Sequence, residues 1–217
     1  MMPTRRLCLI IVALAWALPA PAKTGRPVTE AGIATAHPLA TEAGEEVMAA
    51  GGNAFDAAVA ISAALAVVEP FASGLGGGAF WLLHEAKGGK QTFVDAREVA
   101  PGAATRDMYL DEMGKPRPGA TLDGPLAAGI PGQPAGLAHL AKRYGRLPLK
   151  KSLAPAIRFA EEGVEVTRSM ELGLRFRATA ARNSPALAAL YLPGGKALVA
   201  GDRVRYPDLA KTLRQIA

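Results

Sequence analysis

The residues whose types and spacing could do chemistry lie between Ser73 and Pro101. Arg97 follows the strand-like stretch QTFVDA. A guanidinium is a planar fork that grips a carboxylate through two parallel hydrogen bonds. The commoner fate of such an arginine is a weak surface ion pair, here with Asp95 or Glu98. Upstream, Ser73 to Ala79 reads SGLGGGA and fits the dinucleotide fingerprint at Gly74, Gly76 and Ala79. That fingerprint follows a strand and opens a helix. Here a helical pattern and Pro70 come before the glycines and a strand comes after, so a nucleotide site is rejected. The glycines read instead as a loop that needs positive φ and close backbone approach, and that can line a pocket. His37, His84 and His139 show no ligand spacing, so no metal site is expected. A Ser-His-Asp arrangement is recognised by geometry and cannot be argued from spacing.

Several elements must position Arg97. Asn53 and Asp56 form a capping-box pair at the start of a helix, and Asp56 also suits the helix dipole. From Ala57 to Val68 that helix has no charged side chain and one hydroxyl, Ser62, so it has no wet face and is expected to be buried all round. Pro70 stops it. AFWLLHE and QTFVDA read as a hairpin turned at Gly88-Gly89. The first strand is almost continuously apolar, the pattern of a sheet covered on both faces. Further helices are expected over Glu42–Ala49, Thr105–Met113, Pro134–Tyr144 and Ser152–Glu162, the last with Pro155 in its first turn. Met170–Ala181 reads as a surface helix, and Gly32–Ala36 as a short strand. Arg117–Gly132 is rich in proline and glycine and reads as an extended loop. The pattern is a layered α/β (α+β) protein.

The chain has 217 residues, half of them hydrophobic, enough for a core in one or two domains. Residues 1–22 read as a secretory signal peptide: Arg5 and Arg6, then an apolar run from Leu7 to Leu18, then Ala20-Pro21-Ala22 as the cleavage site. The run is too short for a membrane span. A secreted, periplasmic location is expected. Cys8, the one cysteine, lies in the leader, so a chain starting at Lys23 has no disulfide and no thiolate ligand. The formal charge of +6 falls to +4 without Arg5 and Arg6. Lys142, Arg143, Arg146, Lys150 and Lys151 cluster around a helix end and the next helix start, with Tyr144 the one aromatic among them; lysine and arginine at a helix C-terminus favour the dipole, so the cluster reads as a solvated face. Nucleic acid is therefore not an expected partner.

A family resemblance adds to this reading. GIATAHPLATEAGEEVMAAGGNAFDAAVA, EPFASGLGGGAFWLL, DAREVAPGAATRDMYLD, AAGIPGQPAGLAHLAKRYGRLPL, SLAPAIRFAEEGVEV and YPDLAKTLRQIA occur in this order. Together they resemble the N-terminal part of the large subunit of γ-glutamyltransferases, also called γ-glutamyl transpeptidases or glutathione hydrolases. The resemblance covers nearly all of residues 23–217. It implies an N-terminal nucleophile hydrolase fold, an αββα sandwich that this chain leaves incomplete. It implies that Arg97, in the segment Arg97-Glu98-Val99-Ala100-Pro101, binds the α-carboxylate of a γ-glutamyl group such as that of glutathione. It implies acyl transfer from a γ-glutamyl amide to water, an amino acid or a peptide. The resemblance implies that the nucleophile is the N-terminal threonine of a small subunit cut from the same precursor, activated by its own amine. No metal or organic cofactor is implied. Thr35, Thr41, Thr92, Thr105 and Thr121 stand outside the family's nucleophile motif, so no catalytic residue is expected in this chain. The pattern from Tyr206 to Ala217 stops without a helix end signal and reads as a cut through an element. The alternatives are a truncated, non-catalytic product, or part of a related acylase acting on β-lactam side chains or poly-γ-glutamate.

Overall fold

The computed structural model describes residues 31–217. The expected leader, residues 1–22, lies outside the described residues. Helix α1, Pro38–Ala49, starts at His37, whose Nδ1 accepts the Leu39 amide at 3.2 Å. It ends where Gly51 takes a φ of 94°.

Helix α2, Ala54–Val68, is the spine of the core. The expected capping box is present: the Asn53 side chain accepts the Phe55 and Asp56 amides, and Asp56 accepts the Asn53 amide at 2.9 Å. Val59, Ala60, Ala63, Ala64 and Val67 are fully buried. The small side chains let helices close in. A Cβ on Gly44 of α1 would sit 2.9 Å from Ile61 Cδ1.

Asp56 does more than cap. Its Oδ2 also accepts the Arg146 amide at 2.9 Å, and Oδ1 accepts the Leu147 amide at 3.3 Å. Asn53 Nδ2 donates to the Tyr144 carbonyl at 2.8 Å. The start of α2 is thereby tied to the connection between α3, Gln133–Tyr144, and α4, Leu149–Glu162. Helix α4 packs on α2 and brings Leu153, Ala156 and Ala160 into the core.

Strands β1, Ala79–Glu85, and β2, Lys90–Ala96, pair antiparallel from Ala79↔Ala96 to Glu85↔Lys90. Gly88 and Gly89 turn the hairpin with φ of 91° and 64°. Trp81, Leu83 and Val94 face the core. Gly136 of α3 is glycine because an added Cβ would fall 2.4 Å from the Trp81 ring.

The other face is open among the described residues: Phe80, Leu82 and Phe93 are 53, 74 and 62% exposed. The expectation of a sheet covered on both faces is therefore corrected. Helices pack on one side of this hairpin, and its second apolar face has no cover within residues 31–217.

The rest of the chain is mostly helical. Strand β3, Val164–Glu165, pairs with β4, Arg203–Val204. Between them lie α5, Arg168–Phe176, α6, Ala178–Arg182, and α7, Pro185–Tyr191. Helix α8, Pro207–Ile216, packs on α4.

Five further expectations need correction. Gly32–Ala36 forms no strand. Thr105–Met113 is a set of turns, because Asp111 Oδ1 accepts the Met113 and Lys115 amides and Gly114 takes a φ of 74°. Side-chain-to-backbone bonding of this kind competes with helix. Helix α4 starts at Leu149, which moves Pro155 from the first turn into the buried interior of the helix. Met170–Ala181 is broken at Arg177, whose φ of −101° and ψ of 14° leave the helical region. That stretch is also not wholly a surface element, since Met170 is fully buried.

Candidate functional site

Arg97 stands just beyond the end of β2. Both neighbours named as ion-pair partners are present, but neither locks the guanidinium. Asp95 Oδ1 accepts the backbone amide of Arg97 at 2.9 Å instead. Glu98 Oε1 lies 3.6 Å from Arg97 Nη2, and the arginine side chain is 64% exposed. Such an exposed, long pair contributes little and leaves the fork free for another carboxylate.

The backbone that carries Arg97 is held on two sides. Gly78, at the entrance to β1, packs so closely that a Cβ would lie 2.6 Å from Arg97 Cα and from the Glu98 nitrogen. Gly132, at the start of α3, would place a Cβ 2.2 Å from the Ala96 carbonyl oxygen. Val99 and Ile130 exchange amide–carbonyl bonds at 3.1 and 2.8 Å. The segment 96–99 is thus clamped between the glycine-rich loop and the approach to α3, so the base of the arginine is fixed while its head stays free.

Arg97 lines an open groove of about 520 Å³ together with Asp95, Ile130, Gly132, Gly136 and His139. His139 of α3 is exposed and also borders this groove. No serine, threonine or cysteine lines the groove. The arrangement can hold an anion and offers no hydroxyl or thiol nucleophile. Among the described residues, no three His, Cys, Asp or Glu side chains cluster as metal ligands would.

The glycine-rich loop departs from its expected geometry. Gly74, Gly76, Gly77 and Gly78 have no positive φ. Close approach explains Gly78 alone. The role of Gly132 was not legible in the sequence, where it is one glycine of a Pro/Gly-rich loop; crowding against a distant strand end leaves no local signal.

The hairpin, the buried α2 and the backbone-clamped arginine make a mixed α/β unit with one exposed guanidinium beside an open groove. The family model for γ-glutamyltranspeptidase matches residues 40–217, and the chain belongs to that family of enzymes. It is 40% identical over 190 residues to the glutathione hydrolase proenzyme of Bacillus subtilis (strain 168), covering 85% of this chain and 31% of that protein. It is also 40% identical over 191 residues to the acylase ACY 1 proenzyme of Pseudomonas sp. (strain V22), covering 85% of this chain and 34% of that protein. The crystal structure of Helicobacter pylori γ-glutamyltranspeptidase superposes with a TM-score of 0.81 at 39% identity, over 88% of this chain and 55% of that one. The chain thus spans about a third of the length of the curated relatives it matches. Among the described residues, no helix is long and apolar enough to cross a membrane.

Proposed function

We propose that this chain is the N-terminal part of the large subunit of an exported γ-glutamyltransferase, and that Arg97 holds the α-carboxylate of its γ-glutamyl substrate. The observation that carries the reading is the free, backbone-clamped Arg97 fork in its groove, in a chain of this family. The complete fold is the αββα sandwich of an N-terminal nucleophile hydrolase. The open face of Phe80, Leu82 and Phe93 suits a second sheet laid over it.

The reaction is attack of a threonine hydroxyl on the γ-glutamyl amide, followed by transfer of the γ-glutamyl group to water or an amine. That threonine belongs to a second polypeptide of the same precursor, outside these 217 residues. Residues 1–22 act as the leader. Glutathione is the expected donor. The acylase relative leaves a second substrate class open, because the groove fixes a carboxylate and not the leaving group.

The test is release of chromophore from a γ-glutamyl anilide. The whole gene product releases it, and purified residues 23–217 release none. Turnover by residues 23–217 alone would place the nucleophile within this chain and overturn the division of labour.

A further inference from the structure

The β1–β2 ladder ends on the pair Ala79↔Ala96, and the next main-chain pairing of this stretch is Val99 with Ile130. Arg97 and Glu98 lie in the gap between the two. Among the described residues, neither of their amides donates to a main-chain carbonyl. The ladder therefore stops directing the chain one residue before the guanidinium.

Gly78 and Gly132 crowd this gap, but crowding acts by exclusion. It limits where the backbone of residues 96–98 can go, and it does not choose which way the Ala96–Arg97 peptide faces. One bond makes that choice. Asp95 Oδ1 accepts the Arg97 amide at 2.9 Å. An aspartate or asparagine oxygen bonded to the amide two residues on mimics a backbone turn and fixes the dihedrals between them. Turning the Ala96–Arg97 peptide over would carry its N–H away from Asp95 and re-aim the Cα–Cβ bond of Arg97.

The same bond keeps a competitor off the fork. Asp95 lines the groove beside Arg97, and a carboxylate two residues away is an obvious partner for a guanidinium. Among the described residues, however, the fork pairs with Glu98 alone, at 3.6 Å. The Asp95 carboxylate is spent on the backbone instead.

We infer that Asp95 is a positioning residue: its bond to the Arg97 amide aims the guanidinium at the substrate carboxylate, and it does so as a short acceptor rather than as a charge. This rests on the carboxylate role proposed for Arg97 above. Acceptor and charge are separable by substitution. Asparagine keeps an oxygen at the same distance from the backbone and loses the charge. Glutamate keeps the charge, but its extra methylene spoils the turn and lets the carboxylate reach out to the fork.

Steady-state kinetics of the whole gene product on a γ-glutamyl anilide tests this. Asp95 is exposed, so its bond competes with water, and Asp95→Ala should raise KM only about 3- to 10-fold, with little change in kcat. Asp95→Asn should keep a KM within about twofold of the parent, and Asp95→Glu should be as poor as Asp95→Ala. In an Arg97→Ala background, Asp95→Ala should raise KM no further, because a residue that acts through Arg97 has no effect without it. The reverse ranking, with Asp95→Glu near the parent and Asp95→Asn as poor as Asp95→Ala, would overturn the inference, since the charge would then matter. A loss that persists in the Arg97→Ala background would also overturn it, since the defect would be a general one. If Asp95→Ala is poorly folded, the ranking of asparagine against glutamate still decides. If Arg97→Ala raises KM and no Asp95 variant does, this inference falls and the carboxylate clamp stands. If Arg97→Ala itself leaves KM unchanged, both fall.

Discussion

Asp56→Asn isolates the contact that ties the first half of the core to the second. Asp56 is completely buried, and its carboxylate accepts three backbone amides: Asn53 and Arg146 on Oδ2, Leu147 on Oδ1. Among the described residues no arginine or lysine pairs with it. An asparagine fills the same volume but keeps one acceptor oxygen. If that oxygen serves Asn53 and Arg146, the new NH2 group faces the Leu147 amide. The reverse orientation is worse, with two amides lost. A buried donor left unmatched costs about 1–3 kcal/mol, and losing the charge on the remaining bonds costs about as much again. Weaker interaction with the α2 dipole adds a further ~0.3–1 kcal/mol.

The sum is roughly 2–7 kcal/mol, a large part of the ~5–15 kcal/mol that holds a typical domain together. Equilibrium urea unfolding of the whole gene product reads this as a lower midpoint with an unchanged slope. Asn53→Gly should cost only a few tenths of a kcal/mol for the cap itself, plus about 1 kcal/mol for the lost bond to the Tyr144 carbonyl. If Asp56→Asn costs under about 1 kcal/mol, the buried carboxylate is not the tie described here.

Gly132→Ala should weaken ligand binding as well as stability, because the new methyl would collide with the Ala96 carbonyl and displace the backbone that carries Arg97; a KM for a γ-glutamyl anilide equal to that of the parent would contradict this. His37 should make α1 acid-sensitive. Burial holds its imidazole below the ordinary histidine value, outweighing the opposing pull of Glu69, and the neutral Nδ1 caps the helix. A folded-state pKa below the unfolded one means the unfolded chain takes the proton first. Stability from this cap is therefore full above about pH 6.5 and falls as pH drops below it. His37→Asn, which still caps, should flatten that part of the stability profile.

Local chemistry was the legible part of this fold. The capping box at Asn53 and Asp56, the Gly88-Gly89 hairpin and the helix end at Tyr144 each depend on neighbours in sequence, and each is found. Some errors were local: Asp111 turned an apparent helix into turns by accepting the amides of Met113 and Lys115, and α4 starts at Leu149 rather than Ser152. Others arose where distant contacts decide. The continuously apolar β1 reads as doubly covered, yet one of its faces meets nothing within the described residues. At the site, Arg97 was singled out by the family resemblance of its segment. Its fixed base was not, because Gly78 and Gly132 act through crowding against β2, far away in sequence. The bonds from Asp56 to residues 146 and 147 were hidden for the same reason.

The central claim is that the Arg97 fork binds a substrate carboxylate. The direct measurement is kcat/KM of the whole gene product and of its Arg97→Ala and Arg97→Lys variants, on a γ-glutamyl anilide and on the matching 4-aminobutyryl anilide, which lacks the α-carboxylate. A charge-assisted pair is worth about 1.5–3 kcal/mol, so Arg97→Ala should lose about 10- to 150-fold on the γ-glutamyl substrate, mostly in KM. It should lose almost nothing on the other substrate, with Arg97→Lys in between because lysine keeps the charge without the fork. Equal losses on both substrates, or none on either, would contradict the account.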